Sequence, residues 1–142
     1  MDPQNLMDAL VWTGPRAMEM RKEPVPRPGE GEALVEVSAA GICGSDLGGY
    51  LGRNSLRKPP LVMGHEAAGR LLGPPSGKLS DGSAARDGQR VTFNPLISCG
   101  SCDLCRAGRP NLCRTRKLVG AHRPGAFARF IAAPLSLCWP LP

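Results

Sequence analysis

Aromatic residues make up only 4% of this 142-residue chain, and no stretch approaches the roughly 18 apolar residues of a membrane span. The first scarcity leaves few rings on which nucleic-acid bases could stack. The second argues against a helix crossing a bilayer. No basic leader precedes an apolar run; residues 1–12 carry Asp2 and Asp8 instead. A secretory signal is therefore not expected, and a cytoplasmic, reducing setting is. Also missing are internal repeats, an apolar helical period lasting three turns, and the Gly-x-Gly-x-x-Gly of a dinucleotide-binding turn. The single Gly-x-Gly, Gly29-Glu30-Gly31, is followed three positions later by Leu34.

What is abundant is punctuation. Gly 18 and Pro 15 break the chain into short elements, so one domain of short strands and irregular loops is predicted. Strands are predicted over 9–12 and 17–23, split by Thr13-Gly14-Pro15, and over 33–38, where Ala33, Val35 and Val37 share the better-buried face. Further strands are predicted over 64–72, 90–93, 126–132 and 135–139. Residues 24–29 read as an extended proline-rich loop. Residues 41–50 read as a glycine-broken turn, with one helical turn capped by Ser45 or Asp46. Residues 73–87 read as the most expendable loop. Short strands at regular spacing with turn signals predict a mainly β fold, a small barrel.

The net charge of +6 is concentrated around Arg106, Arg109, Arg114, Arg116, Lys117 and Arg123. A phosphate or nucleic-acid face is one reading of this segment. The preferred one is a solvated basic surface offsetting nearby thiolates, because no aromatic residue is interleaved with the charges.

That segment overlaps the strongest signal in the chain. Cys99, Cys102, Cys105 and Cys113 form C-x2-C-x2-C-x7-C. Two short spacings let three sulfurs converge from one tight loop, and seven intervening residues allow a turn that returns the fourth. Four thiolates suit a closed, tetrahedral zinc site. An iron–sulfur run would continue with x3 and a following proline, whereas Arg114 follows Cys113 here. Disulfides are the other competitor, disfavoured by the absent export signal. CGSCDLCRAGRPNLC resembles the structural-zinc lobe of the zinc-dependent alcohol, sorbitol and threonine dehydrogenases.

A second constellation lies upstream, in Gly41-Ile42-Cys43-Gly44-Ser45-Asp46 and Gly64-His65-Glu66. Taken singly, Cys43 is more often a small buried hydrophobe and His65 a structural histidine. Glycine-flanked turns, adjacent acidic residues and the cysteine-dense lobe raise the prospect of metal ligands. AAGICGSDL and VMGHEAAG also resemble the catalytic-zinc signatures of the same dehydrogenase family. PVPRPGEGEALVEVSAAGICGSD, DGQRVTFNPLISCGSC and PGAFARFIAAP follow in the family's order, so the similarity runs from about Ala9 to the C-terminus.

The resemblance implies a GroES-like β-barrel over residues 1–142, with residues 94–117 as a structural-zinc lobe. It implies Cys43 and His65 as ligands of a catalytic zinc, with Glu66 either a ligand or an exchangeable neighbour. Asp46 would orient His65, Ser45 would relay the substrate proton, and Tyr50 would line the substrate pocket. In the complete enzyme, zinc acts as a Lewis acid on an alcohol or polyol and hydride passes to NAD(P). The family's Rossmann domain is not contained in these residues, so the chain is expected to be inactive alone and its catalytic zinc only partly held. A stand-alone, non-catalytic zinc module that binds a partner or nucleic acid is the alternative. Two departures stand out: Gly88-Gln89 replaces the usual Gly-Asp, and Arg129-Phe130 replaces Glu-Tyr, with loss of a local salt bridge expected.

Overall fold

Alternation of apolar and polar side chains builds the first hairpin. β1 (Leu6–Gly14) turns Met7, Ala9 and Val11 inward and pairs antiparallel with β2 (Ala17–Pro24). The other edge of β1 meets the short β4 (Leu61–Val62). The computed structural model describes residues 5–73 and 75–142; the leader reading on residues 1–4 and Pro74 of the 73–87 loop lie outside them.

The larger sheet has five antiparallel strands and curls into a half-barrel, giving a mainly β fold of the GroES-like kind. It comprises β3 (Glu32–Gly41), β5 (Glu66–Leu72), β6 (Arg90–Phe93), β9 (Phe130–Pro134) and β10 (Cys138–Pro140). Their order is β10-β6-β5-β3-β9. The predicted face of β3 is the inner one: Ala33 and Val35 pack with Leu71, Val91, Ile131 and Ala133. Each fully buried Leu or Val contributes about 1.5–3 kcal/mol here. A separate two-stranded neck, β7 (Leu96–Ile97) against β8 (Lys117–Leu118), carries the cysteine segment. The helices are short, α1 (Gly44–Tyr50) and α2 (Asp103–Arg106), and none among the described residues is long and apolar enough to cross a membrane.

Several expectations change in the structure. Cys43, not Ser45 or Asp46, is the N-cap of α1, and Asp46 sits three residues in. There its carboxylate accepts the Cys43 N–H at 3.1 Å, which spacing three residues apart on the first turn permits. Residues 126–129 precede β9 rather than opening it. Their backbone crosses to Gly64, Met63 and β1, so the strand proper begins at Phe130. Leu135–Leu137 is a 3-10 turn, and β10 starts at Cys138. The 73–87 loop is not expendable, because Leu79 is buried in the main core and the Ser80 N–H donates to the Cys138 carbonyl. The cation that replaces the family's carboxylate at Arg129 makes a bridge of its own, to Glu36 at 3.2 Å, and its guanidinium also lies over Phe130.

The loop that delivers His65 is fixed by close backbone approach. Gly125 donates its N–H to the Val62 carbonyl, Ala126 to Gly64, and Phe127 to Met63. A Cβ at position 125 would lie 2.1 Å from the Gly64 carbonyl oxygen and 2.5 Å from that of Met63. Both obstacles are main chain and cannot swing aside. Gly125→Ala is therefore expected to destabilise the fold by about 3 kcal/mol, the upper range of overpacking. Urea unfolding checks this against Gly48→Ala, where nothing lies within 4 Å and a neutral or slightly stabilising effect is expected. Equal midpoints for the two variants would contradict the close-approach argument.

Candidate metal centres

In the lobe, chain reversals at Gly100 and Gly108, both at positive φ, fold the cysteine segment back on itself. Cys102 caps α2, Cys105 lies on it, and Cys113 follows a 3-10 turn begun by Pro110. The four sulfurs lie within 4.8 Å of one another, and all six cysteines of the chain are free. Cys113 Sγ is 3.5 Å from Cys99 Sγ, and Cys99 Sγ is 3.9 Å from Cys105 Sγ.

Main-chain donors point at these sulfurs. The Cys102 N–H reaches Cys99 Sγ at 3.4 Å, and the Cys99 N–H reaches Cys113 Sγ at 3.4 Å. N–H groups of Ser101 and then Cys102 pull the Cys99 thiol down to about 5, and the Cys99 N–H lowers Cys113. Loss of water, then the Cys102 thiol, raises Cys105 to about 11. Thiolate formation is thus favoured at some sulfurs and opposed at the one most crowded by its neighbours. That pattern fits a site whose shared charge a cation would neutralise. The cluster could hold a zinc ion.

Three of the six cations in the basic segment beside it are engaged. Arg114 pairs with Asp103, Arg116 donates to the Cys113 carbonyl at 3.0 Å, and Arg123 pairs with Glu32, whose carboxyl it holds below the usual range.

The second centre assembles from three elements. Strand β3 ends at Gly41, placing Cys43 at the head of α1. Gly64, at φ +90°, turns His65 out of the β4 strand, and a Cβ there would strike the Phe127 ring at 2.5 Å. Glu66 opens β5 directly across from Gly41, whose missing Cβ leaves room for the carboxylate; a Cβ there would lie 2.7 Å from Glu66 Oε2. Thiol, imidazole and carboxylate donors from Cys43, His65 and Glu66 all fall within 4.8 Å. His65 is buried, Cys43 half-buried and Glu66 exposed. Small residues, Ala39, Ala40, Gly41, Ala67 and Ala68, line the open cavity beside His65 and Glu66.

Asp46 is 2% exposed and lies between the two motifs. Its Oδ1 is 3.3 Å from His65 Nδ1, but the alignment falls short of a hydrogen bond, leaving that buried nitrogen without a partner. A thiol, an imidazole with one nitrogen turned toward a carboxylate, and a second carboxylate make a donor set that fits zinc. Ser45 is exposed, its hydroxyl 3.5 Å from Arg57 Nη2. Tyr50 is not one of the clustered donors: its hydroxyl donates to the Arg16 carbonyl, and its side chain lines an apolar pocket that also includes Met18, Phe127 and, next to Cys43, Ile42 and Asp46.

Arg57 was not legible in the sequence as part of this site. Flanked by Leu56, Lys58 and two prolines, it lacks any periodic pattern that marks burial. In the fold it is 4% exposed and pairs with Asp46 at 3.0 Å.

Comparison with known proteins agrees with this architecture. The family model for the alcohol dehydrogenase GroES-like domain matches residues 29–142. The starvation-sensing protein RspB of Escherichia coli is 37% identical over 136 residues, covering 96% of this chain and 39% of that protein. An L-threonine 3-dehydrogenase of Chelativorans is 42% identical over 137 residues, covering 92% of this chain and 38% of that protein. Among solved structures, an E. coli alcohol dehydrogenase complexed with NADH superposes with a TM-score of 0.86 at 36% identity, covering 97% of this chain and 39% of that one. An alcohol dehydrogenase from Thermotoga maritima gives 0.88 at 26% identity, with 96% and 41% covered. The chain thus spans about two-fifths of the length of the relatives it matches. A half-barrel bearing two donor clusters, a family model covering most of the chain, and dehydrogenase relatives at these identities place the chain in the alcohol dehydrogenase GroES-like domain family.

Proposed function

We propose that this domain is the zinc-binding catalytic part of an NAD(P)-dependent dehydrogenase that oxidises a secondary alcohol or polyol, with the four-cysteine lobe as its structural zinc site. The observation that carries the reading is the convergence of Cys43, His65 and Glu66 beside an open cavity lined by small residues. Zinc held there supplies a Lewis acid that makes an alcohol hydroxyl easier to deprotonate.

The chain's own residues do the rest. Asp46 holds the Cys43 main chain at 3.1 Å and faces His65, so thiol and imidazole keep a fixed relation. Glu66 lies exposed at the strand start, placed either to complete the ligand set or to exchange as substrate enters. Ser45 is solvent-exposed on the first turn of α1 and is assigned the relay of the released proton to bulk water. Ala39, Ala40, Gly41, Ala67 and Ala68 leave open space beside His65 and Glu66, which Thr92, Phe93 and Pro95 bound on the far side. Relatives named for L-threonine and L-galactonate support a hydroxylated, polar substrate class. The nicotinamide cofactor is assigned to a Rossmann domain, because these residues hold no glycine-rich dinucleotide turn.

The test joins the domain to a nucleotide-binding domain from one of these relatives, loads it with zinc, and follows NADH formation from threonine, butanediol and sorbitol. Cys43→Ala is expected to lower kcat/KM by at least about a hundredfold while sparing lobe zinc, in line with loss of one electrostatic stabiliser. Unchanged turnover in that variant would remove the catalytic assignment.

A further inference from the structure

We propose that Arg57 is the positioning residue of the Cys43–His65–Glu66 centre. Its guanidinium ties the segments carrying Cys43 and His65 into one metal-ready geometry. This rests on the reading of those three residues as a metal site.

The Arg57 side chain is 1% exposed and that of Asp46 2%, so neither charge is solvated. A buried ion pair is tolerated only when its remaining donors find partners. Arg57 meets that demand with a fork no other side chain supplies. Nε donates to the Gly120 carbonyl at 3.0 Å, Nη1 to the Ser45 carbonyl at 2.9 Å, and Nη2 to Asp46 Oδ1 at 3.0 Å. Nη2 also lies 3.5 Å from Ser45 Oγ.

Each anchor leads to a proposed ligand. Ser45 and Asp46 form the first turn of α1, and Asp46 Oδ2 accepts the Cys43 N–H. The same carboxylate faces His65 Nδ1 at 3.3 Å. Gly120 packs directly behind the other ligand loop: a Cβ on it would lie 2.6 Å from the Gly64 carbonyl oxygen. Gripping Gly120 therefore braces the turn that delivers His65. Gly120 also follows β8, the neck strand that leaves the cysteine lobe, so Arg57 bridges the lobe's base and the second centre. The cradle is fitted to the arginine stem as well, since a Cβ at Gly49 would fall 2.7 Å from Arg57 Cδ.

A lysine keeps the charge but presents its donors from one point, and it cannot span three acceptors on two segments. The probe is cobalt(II) titrated into metal-stripped chain, read by thiolate charge-transfer and d–d absorption, with chelator competition for affinity. Wild type is expected to take two ions, and Cys43→Ala one. Arg57→Lys is expected to fill the four-cysteine site normally and to bind the second ion 10–100-fold more weakly, with altered d–d bands. Gly49→Ala, which displaces the stem without removing the charge, is expected to shift the same affinity in the same direction and decides the matter if Arg57→Lys does not fold. Leu79→Ala, which truncates a side chain that the 73–87 loop buries in the main core, is expected to lower the melting temperature without moving that affinity.

A folded Arg57→Lys, or Gly49→Ala, with second-site affinity and spectrum unchanged would show Arg57 to be structural only and overturn the proposal. A wild type that takes up a single ion, with Cys43→Ala no different, would remove the metal reading itself, and Arg57's role with it.

Discussion

Cys113→Ser is expected to cost the lobe its metal and its fold while leaving the half-barrel standing. Cys113 is the fully buried sulfur of the four, accepts the Cys99 N–H, and closes the excursion that began at β7. Little else holds that segment. Its helix α2 has four residues, none of them buried, and Leu112 is 48% exposed. Structural zinc supplies roughly 10–16 kcal/mol in small metal-folded modules, so a quarter of it is about 2.5–4 kcal/mol. That corresponds to a loss of two to three decades in affinity. The core around Val35, Leu71 and Val91 contains none of the four lobe sulfurs and meets the neck at Ile97 and, just beyond β8, Val119, so the sheet has no reason to open. Zinc content and limited proteolysis check this together. One fewer zinc per chain with cleavage confined to residues 99–113 is expected; full zinc and an uncut lobe would contradict the assignment.

The second large effect is the gap between the chain alone and the joined enzyme. Hydride transfer requires the nicotinamide ring to be held against the substrate carbon, and such positioning is worth about 7–11 kcal/mol. These residues offer no glycine-rich turn to cradle a pyrophosphate, and α1, at seven residues, is already capped through Cys43 and Asp46. Free NAD(P) would meet the centre only by collision. Turnover by the 142 residues alone is expected to fall at least about 10⁵-fold below that of the joined protein. Micromolar NAD(P) affinity, seen by fluorescence titration of the chain alone, would contradict this.

The family, the mainly β fold and the two donor clusters were legible because their signals are local. Cys99, Cys102 and Cys105 share one tight loop, and glycine-flanked turns announce Cys43 and His65. What makes the second cluster converge was not legible, since it depends on register. Glu66 faces Gly41 only because β3 carries an irregularity between Val37 and Ala39 that shifts its pairing with β5. Residues 126–129 read as strand by composition, yet their partners are the Met63–Gly64 turn and the edge of β1. Tertiary crossing overrode local preference there. Arg57 shows the limit most plainly, because burial of a charge is specified by acceptors on Ser45, Asp46 and Gly120 and not by its own neighbours.

The central claim, that one chain holds a four-sulfur centre and a separate mixed-donor centre, is tested most directly by anomalous diffraction at the zinc edge. A crystal of the zinc-loaded chain is expected to show two peaks. One should lie among Cys99, Cys102, Cys105 and Cys113, and a weaker one, at the partial occupancy expected there, among Cys43, His65 and Glu66. A single peak confined to the lobe would contradict the second centre, and signal at the iron edge would contradict the first.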